Sequence, residues 1–123
     1  MAKFREMNAA VSLADQLQQP DDGPVVLINV FTVDPADADA LVAAWAHDAH
    51  FMKQQPGYVS TQLHEGVAGS STFVNYAVWE SVSSFRAAFT NPEFQSRIRA
   101  YPESAEASPH LFRKRAVPGF CVA

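Results

Sequence analysis

Two asparagines and a tryptophan stand inside apolar runs that are typical of β-strands, and their polar groups are the first candidates for chemistry. Asn29 lies in the run VVLINVFTV (25–33), and Asn75 and Trp79 lie in FVNYAVWES (73–81). Side chains alternate between the two faces of a strand, so Asn75 and Trp79 share a face. A carboxamide buried without a partner is costly, so protein, water or a ligand must hydrogen-bond to it. The pattern leaves open which partner is present, and whether Asn29 points to the same side.

Histidine and carboxylate side chains are the other groups that could move protons or hold a metal. His64 ends a second predicted strand, where it is either exposed or able to reach the mouth of a cavity. We place it on the strand face of Tyr58, Ser60 and Gln62. His47 and His50 have the spacing of two metal ligands, but no third ligand accompanies them, so we interpret them as surface residues. The carboxylates are scattered and none interrupts an apolar strand, so the candidate chemistry uses amides, an indole and one imidazole.

The predicted elements that carry these residues follow the order β-α-β-β-α-β. Apolar, β-branched and aromatic runs predict strands at 25–33, 58–65, 72–80 and 110–117. A long helix is predicted to begin at Asp34-Pro35 and to end before Pro56-Gly57, and a broken helical region lies between the third and fourth strands. This order is typical of an α+β, ferredoxin-like fold with an antiparallel sheet, in which the first and third strands are adjacent at the centre.

The flanking segments are predicted to lie outside this domain. Residues 5–19 can form a short amphipathic helix, and the run PDDGP that follows then breaks the chain. We therefore expect an N-terminal helical appendage and linker over 1–24, the folded domain over 25–117 and a C-terminal tail over 118–123.

Composition and charge exclude several classes of protein. The 123 residues are enough for one domain, and the net charge of −4 argues against a nucleic-acid partner. Cys121 is the single cysteine, so no intrachain disulfide can form, which is typical of a reducing compartment. No apolar run approaches the length of a membrane span. We expect a soluble, cytoplasmic protein without a membrane partner.

Both central strands are predicted to be apolar on both faces. In the first strand the face opposite Asn29 carries Val26, Ile28 and Val30, and the third strand repeats this pattern. An antiparallel sheet with one wet face should instead alternate apolar and polar residues. Two helices can cover only one face, so we expect a second copy of the chain to cover the other in an obligate homodimer. Each protomer would then keep a cavity between its sheet and its helices.

These residues resemble the antibiotic biosynthesis monooxygenase family, and most of all its small cofactor-independent anthrone monooxygenases of aromatic polyketide pathways. The resemblance covers about residues 25–112 and includes INVFTV of the first strand, QPGY at 55–58 and VNYAVWES of the third strand. In such enzymes an Asn on the first strand and an Asn and a Trp on the third belong to the active site. Asn29, Asn75 and Trp79 match those positions. The resemblance also implies a dimeric α+β barrel.

The resemblance implies oxidation of an electron-rich aromatic substrate, an anthrone or a quinol, by molecular oxygen and with no cofactor. The two amides and the indole N–H would hold the enolate oxygens of the substrate. His64, which matches a histidine in some members, or a water would accept the proton. Apolar residues would form walls that suit a flat polycyclic molecule: Leu27, Phe31, Trp45, Phe85 and Phe89.

The chain departs from the family at two points. Phe85 stands where some members have tyrosine, so a phenol hydroxyl is lost there. An arginine that some members use has its nearest counterpart in Arg97 or Arg99.

Two other functions compete with the anthrone or quinol monooxygenase. A haem-degrading member would carry the same Asn and Trp, but it needs an axial histidine on the helix after the third strand, and residues 85–89 contain none. The other alternative is a non-enzymatic dimeric barrel that binds an apolar small molecule.

Overall fold

Five strands form one sheet in the computed structural model of the chain, which describes residues 2–123. The strands are β1 (Lys3–Phe4), β2 (Val25–Thr32), β3 (Tyr58–Glu65), β4 (Thr72–Trp79) and β5 (Glu106–Phe112). The helices are α1 (Leu13–Leu17), α2 (Ala38–Met52), α3 (Val82–Phe89) and α4 (Pro92–Arg97), with short 3-10 helices at Pro35–Asp37 and Ile98–Ala100. The strand order is β1-β5-β2-β4-β3, and its last four strands have the ferredoxin-like order. The predicted α+β, ferredoxin-like fold is confirmed.

Local sequence signals begin the helices that cover the sheet. Ser81 and Ser84 form a reciprocal capping box at the start of α3, where each side chain accepts from the other residue's backbone N–H. Asn91 caps α4 through the backbone N–H of Glu93, and Pro92 is its first residue. These caps fix where both helices begin, α3 shortly after β4 and α4 shortly after α3.

The register of the two central strands places the asparagines opposite each other. β2 and β4 are antiparallel neighbours, and Asn29 is the direct cross-strand partner of Asn75. Directly opposed residues point to the same face of a sheet. The adjacency predicted for these strands is confirmed, and the orientation that the sequence left open is resolved in favour of one shared face, which we call the inner face.

A β-bulge in β3 corrects the predicted position of His64. Tyr58 pairs with Trp79, but Ser60 pairs with the next residue along β4, so β3 carries one extra residue at this point. A shift of one residue exchanges the two faces of a strand. Tyr58 therefore lies on the inner face and the exposed His64 on the outer face, so the prediction that they share a face is wrong.

The last strand lies four residues earlier than predicted and passes through a proline. β5 spans Glu106–Phe112, and Pro109 lies inside it opposite Asn29. The strand predicted over 110–117 instead began directly after this proline. β1 pairs only with Glu106 and Ala107, so at Pro109 the side of β5 that faces away from β2 has no neighbouring strand. The N–H that proline lacks belongs to this open side, so no interstrand hydrogen bond is lost.

The N-terminal segment packs on the domain and is less helical than predicted. The predicted helix over 5–19 is limited to α1, which Ser12 caps, and an unpredicted strand, β1, precedes it. Leu13 and Leu17 are buried in the same apolar cluster as Trp79 and Phe85. This segment is therefore integrated into the core and is not a separate appendage.

The outer face of the sheet keeps partly accessible apolar side chains. Ile28, Val30, Val74 and Val78 are half-buried there, and Tyr76 is 39% exposed. The sheet is not closed, and the homodimer predicted from this face stays a prediction. Of the helices in residues 2–123, none has the length and apolar character needed to cross a bilayer.

Candidate active site

A cavity of about 170 Å³ lies between the inner face of the sheet and the helices. Most of the side chains around it are apolar or aromatic. We call its sheet side the sheet wall, made of Leu27, Asn29, Phe31, Tyr58, Thr61, Asn75, Ala77, Trp79, Ala107 and Pro109. We call its other side the helix wall, made of Trp45, Asp48, Ala49, Met52, Phe85, Phe89, Phe94, Ile98 and Tyr101.

The sheet wall brings together the two amides that the sequence singled out. The Oδ1 atom of Asn75 accepts a 2.5 Å hydrogen bond from the Thr61 hydroxyl, which leaves its Nδ2 hydrogens to donate elsewhere. The Oδ1 atom of Asn29 is buried and has no hydrogen-bond partner among the described residues. A buried polar atom without a partner is costly, so this oxygen marks a place for a ligand or a water.

Trp79 completes the polar set of the sheet wall from a fixed position. Its ring is 1% exposed and meets Tyr58 edge-on, with centroids 5.7 Å apart and an interplanar angle of 87°. Phe85 packs against it at 5.7 Å and 66°. Aromatic contacts on two sides hold the indole in one orientation, which a donor needs if it is to bind a developing charge.

The predicted apolar walls converge on the same cavity. Leu27 and Phe31 come from β2, Trp45 comes from α2, and Phe85 and Phe89 come from α3; all five line it. Phe85 has no phenol hydroxyl, but two tyrosines, Tyr58 and Tyr101, also line the cavity.

Asp48 is a functional candidate that the sequence analysis missed. It is 6% exposed on α2, lines the helix wall, and has an Oδ1 atom without a hydrogen-bond partner among the described residues. A carboxylate stands out in a sequence when it interrupts an apolar strand, but Asp48 lies on a helix. The available signal was helical spacing, since Asp48 stands three residues after Trp45 and four before Met52 on the apolar side of the helix.

Burial and two neighbours set the protonation of this carboxyl. Burial raises the pKa of Asp48 from 3.8 to about 6, against smaller lowering effects of the nearby Tyr101 hydroxyl and of the Arg97 charge. Burial, with the nearby Asp48 charge, raises the pKa of Tyr101 far above its usual 10.0. The phenol therefore stays protonated and able to donate to the carboxylate.

The histidines and the two named arginines lie away from the cavity. His64, His47 and His50 are exposed, and His110 is buried where Gln16 meets β5, with Nε2 3.0 Å from the Gln16 amide nitrogen. Of the described residues that line the cavity, none is a histidine. The structure therefore does not bring His64 to the amides.

Arg97 packs on the outside of the helix wall. Its guanidinium donates to the His47 carbonyl at 2.7 Å and lies 5.6 Å from the centre of the Phe51 ring. Arg99 is exposed, and neither arginine lines the cavity. Arg97 acts on the site only through its charge near Asp48.

The first described residues also reach the cavity. Ala2, Lys3 and Phe4 line it because β1 runs parallel to β5 at the edge of the sheet. The salt bridge between Arg5 and Glu106, at 3.3 Å, lies next to this strand pair. Among residues 2–123, no group of three or more His, Cys, Asp or Glu side chains is placed to hold a metal ion.

Comparison with known proteins gives one family match over most of the domain. The model of the antibiotic biosynthesis monooxygenase family matches residues 24–100. The deoxynogalonate monooxygenase of Streptomyces nogalater is 30% identical over 95 residues, which are 77% of this chain and 80% of that protein. A mycobilin-producing heme oxygenase of Mycobacterium tuberculosis H37Rv is 32% identical over 87 residues, which are 69% of this chain and 83% of that protein.

A solved structure with the same architecture comes from Streptomyces nogalater. SnoaB, a cofactor-independent oxygenase, superposes with a TM-score of 0.68 at 29% sequence identity. The superposition covers 80% of this chain and 99% of SnoaB. The likeness therefore extends over nearly the whole of that structure.

Proposed function

Because the chain belongs to the antibiotic biosynthesis monooxygenase family, we propose that it is a cofactor-independent monooxygenase of an electron-rich aromatic substrate. The substrate would be of the anthrone or quinol type, and the product would be a quinone. One observation carries the proposal: Asn29 and Asn75 are cross-strand partners on the wall of an otherwise largely apolar cavity, and Trp79 lies four residues after Asn75 on the same face. Such a wall can hold one anionic oxygen on a flat apolar molecule.

The mechanism follows from the spin state of oxygen. Triplet oxygen reacts slowly with closed-shell molecules, but an enolate or phenolate can pass it one electron directly. The protein then has to favour the deprotonated substrate in a dry cavity. The amide N–H groups and the Trp79 indole N–H would each stabilise the anionic oxygen, and a well-placed donor of this kind is worth about 2–4 kcal/mol.

Two matches from Streptomyces nogalater, one in sequence and one in structure, support a monooxygenase that needs no cofactor. The deoxynogalonate monooxygenase and the cofactor-independent oxygenase SnoaB are both similar to this chain over most of its length. The aromatic side chains around the cavity, among them Trp45, Phe85 and Phe89, suit the faces of a polycyclic ring system.

The proposed assembly is a homodimer that packs sheet on sheet. Its support is the apolar outer face, where Ile28, Val30, Val74 and Val78 are only half-buried in one chain. The cavity lies on the opposite side of the sheet, so each protomer would keep its own site. Sedimentation of the purified protein would test the dimer; a single monomeric species at micromolar concentration would contradict it.

Oxygen consumption with dithranol, a simple anthrone, tests the proposed activity. Asn75→Ala and Trp79→Phe should each lower turnover at least tenfold, because each removes one donor to the anionic oxygen. His64→Ala is the matched control, since this exposed side chain lies on the outer face and should leave turnover unchanged. Equal rates with and without wild-type protein would favour the non-enzymatic barrel, and unchanged rates in both site variants would remove the mechanism.

The similarity to a heme oxygenase makes haem the second candidate to test. The residues present do not fit the ligation expected for that function, because α3 has no histidine and no histidine is among the described residues that line the cavity. Titration with haemin should therefore leave the Soret band as it is in buffer. A shifted, saturable Soret band at one haem per chain would overturn this assignment.

A further inference from the structure

We propose that Asp48, supported by the Tyr101 hydroxyl, is the base that takes the proton from the substrate. The inference rests on the proposed function and names a residue for a step that the family resemblance left to His64 or a water. The sheet wall would then hold the anionic oxygen, while the helix wall removes the proton.

Location singles out Asp48 among the proton acceptors of the chain. It is the one carboxylate among the described residues that line the cavity, and the histidines lie elsewhere. The other titratable side chains around the cavity are Lys3, Tyr58 and Tyr101. Of these side-chain types, a carboxylate is the one that accepts a proton without first having to lose one.

The surroundings of Asp48 suit a base. Its buried Oδ1 atom lacks a donor among the described residues, an arrangement that a bound substrate hydrogen would relieve. The Tyr101 ring that supports it is itself fixed, because it stacks on Phe31 with centroids 5.5 Å apart. Burial brings the pKa of Asp48 to about 6, so the group is mostly ionised at neutral pH and still more basic than an exposed aspartate.

The reaction balances without a further reactant. The substrate C–H bond breaks, its proton moves to the Asp48 carboxylate, and its electron pair stays on the substrate as an enolate. The enolate passes one electron to oxygen, the two radicals form a C–O bond, and the peroxide anion takes the proton back from Asp48. Loss of the second C–H proton breaks the O–O bond and expels hydroxide, and the hydroxide combines with that proton to form water. The methylene carbon is oxidised to a carbonyl, and the two atoms of oxygen are reduced to the carbonyl oxygen and water.

Deuterium exchange without oxygen isolates the proposed step. Dithranol is incubated anaerobically in deuterated buffer with the protein, and exchange at its methylene carbon is followed by mass spectrometry. The wild type should accelerate exchange, and Asp48→Asn should lower this acceleration roughly a hundredfold. Asp39→Asn is the matched control, because it removes the same charge from an exposed position on the same helix.

The pH profile of exchange provides a second readout that a purely structural role would not move. The charged and titratable groups near Asp48 are Tyr101 and Arg97 and, along the same cavity, Lys3 and Tyr58. Acceleration by the wild type should rise as the pH passes about 6, where Asp48 ionises. Tyr101→Phe should move this midpoint upward, because Tyr101 lowers the pKa of Asp48.

The outcomes separate this inference from the proposed function. Exchange that is equal in wild type and Asp48→Asn overturns the role of Asp48, as does an unmoved midpoint in Tyr101→Phe. Oxygen uptake by the wild type in air reports on the proposed function by itself. A wild type that consumes oxygen but accelerates no exchange would leave the monooxygenase standing and remove its carboxylate base.

Discussion

The sheet wall and the helix wall of the cavity each carry a few polar groups, and the groups differ in kind. The sheet wall carries neutral groups, the amides of Asn29 and Asn75 and the indole of Trp79. The helix wall carries an ionisable pair, Asp48 and Tyr101. Neutral donors can stabilise a charge that forms in the substrate without gaining or losing protons themselves, whereas a carboxylate can move a proton.

Each wall also buries a polar group at a cost to the stability of the fold. The sheet wall keeps a buried amide oxygen at Asn29 without a partner, and the helix wall keeps a carboxylate whose charge is opposed by burial. Both arrangements destabilise the empty protein, and a bound substrate would relieve both. Substitutions that remove these polar groups should therefore stabilise the fold while they reduce activity.

The largest effect is expected at the centre of the sheet wall. Asn29→Leu replaces an amide by an apolar side chain of similar size. It should remove about 2–4 kcal/mol of transition-state stabilisation and so slow dithranol turnover. Because the unpartnered oxygen is removed, the free energy of unfolding should rise by about 1–3 kcal/mol. Urea denaturation and oxygen uptake measure the two effects. A variant that is less stable than the wild type would show that the amide is a structural group.

The next effect should appear on the helix wall as a pH dependence of stability. The folded-state pKa of Asp48, about 6, lies above the unfolded value of 3.8, so the folded protein binds more protons between these values. The stability that comes from the neutral carboxyl is fully present below pH 3.8 and is lost as the pH rises through 6. Asp48→Asn should therefore raise the free energy of unfolding by about 3 kcal/mol at pH 8 and by little at pH 4. A gain that is equal at both pH values would contradict the assigned protonation.

The smallest effect is expected at Thr61, whose hydroxyl orients the Asn75 amide on the sheet wall. Thr61→Val removes the hydroxyl that holds the Asn75 oxygen and should slow turnover a few-fold, less than Asn75→Ala does. The lost hydrogen bond should cost about 1 kcal/mol of stability. Thr32→Val, at an exposed position of β2, is the control for the change in side-chain type. If Thr61→Val matched Asn75→Ala in turnover, orientation rather than presence of the amide would be the main requirement.

The sheet wall could be predicted from the sequence because strand periodicity reports directly on the faces of a sheet. Asn29, Asn75 and Trp79 were found as polar groups in apolar runs, and the ferredoxin-like order made their strands neighbours. Two positions escaped this reasoning. The bulge before Ser60 reverses the face of His64, and the open edge of β5 accepts Pro109; both depend on pairing partners that no single strand specifies.

The helix wall could be predicted only in its apolar part. Trp45 and Met52 follow from helical spacing, and both line the cavity. Asp48 occupies the same side of α2, but a charged residue there is usually a solvated one. Its burial depends on Tyr101 and on the contact of α2 with the helical region after α3, and both are tertiary facts. Long-range packing therefore decides whether Asp48 is buried in the helix wall.

The strand β1 contributes to the shape of the pocket but supplies none of the groups that are proposed to react. Ala2, Lys3 and Phe4 line the cavity, yet they precede the segment shared with the family, residues 24–100, which supplies both amides, the indole and Asp48. The pairing partner of β1, Glu106–Phe112, also lies beyond that segment. Substitutions in these two strands can therefore change the lining of the pocket while the two amides, the indole and Asp48 stay in place.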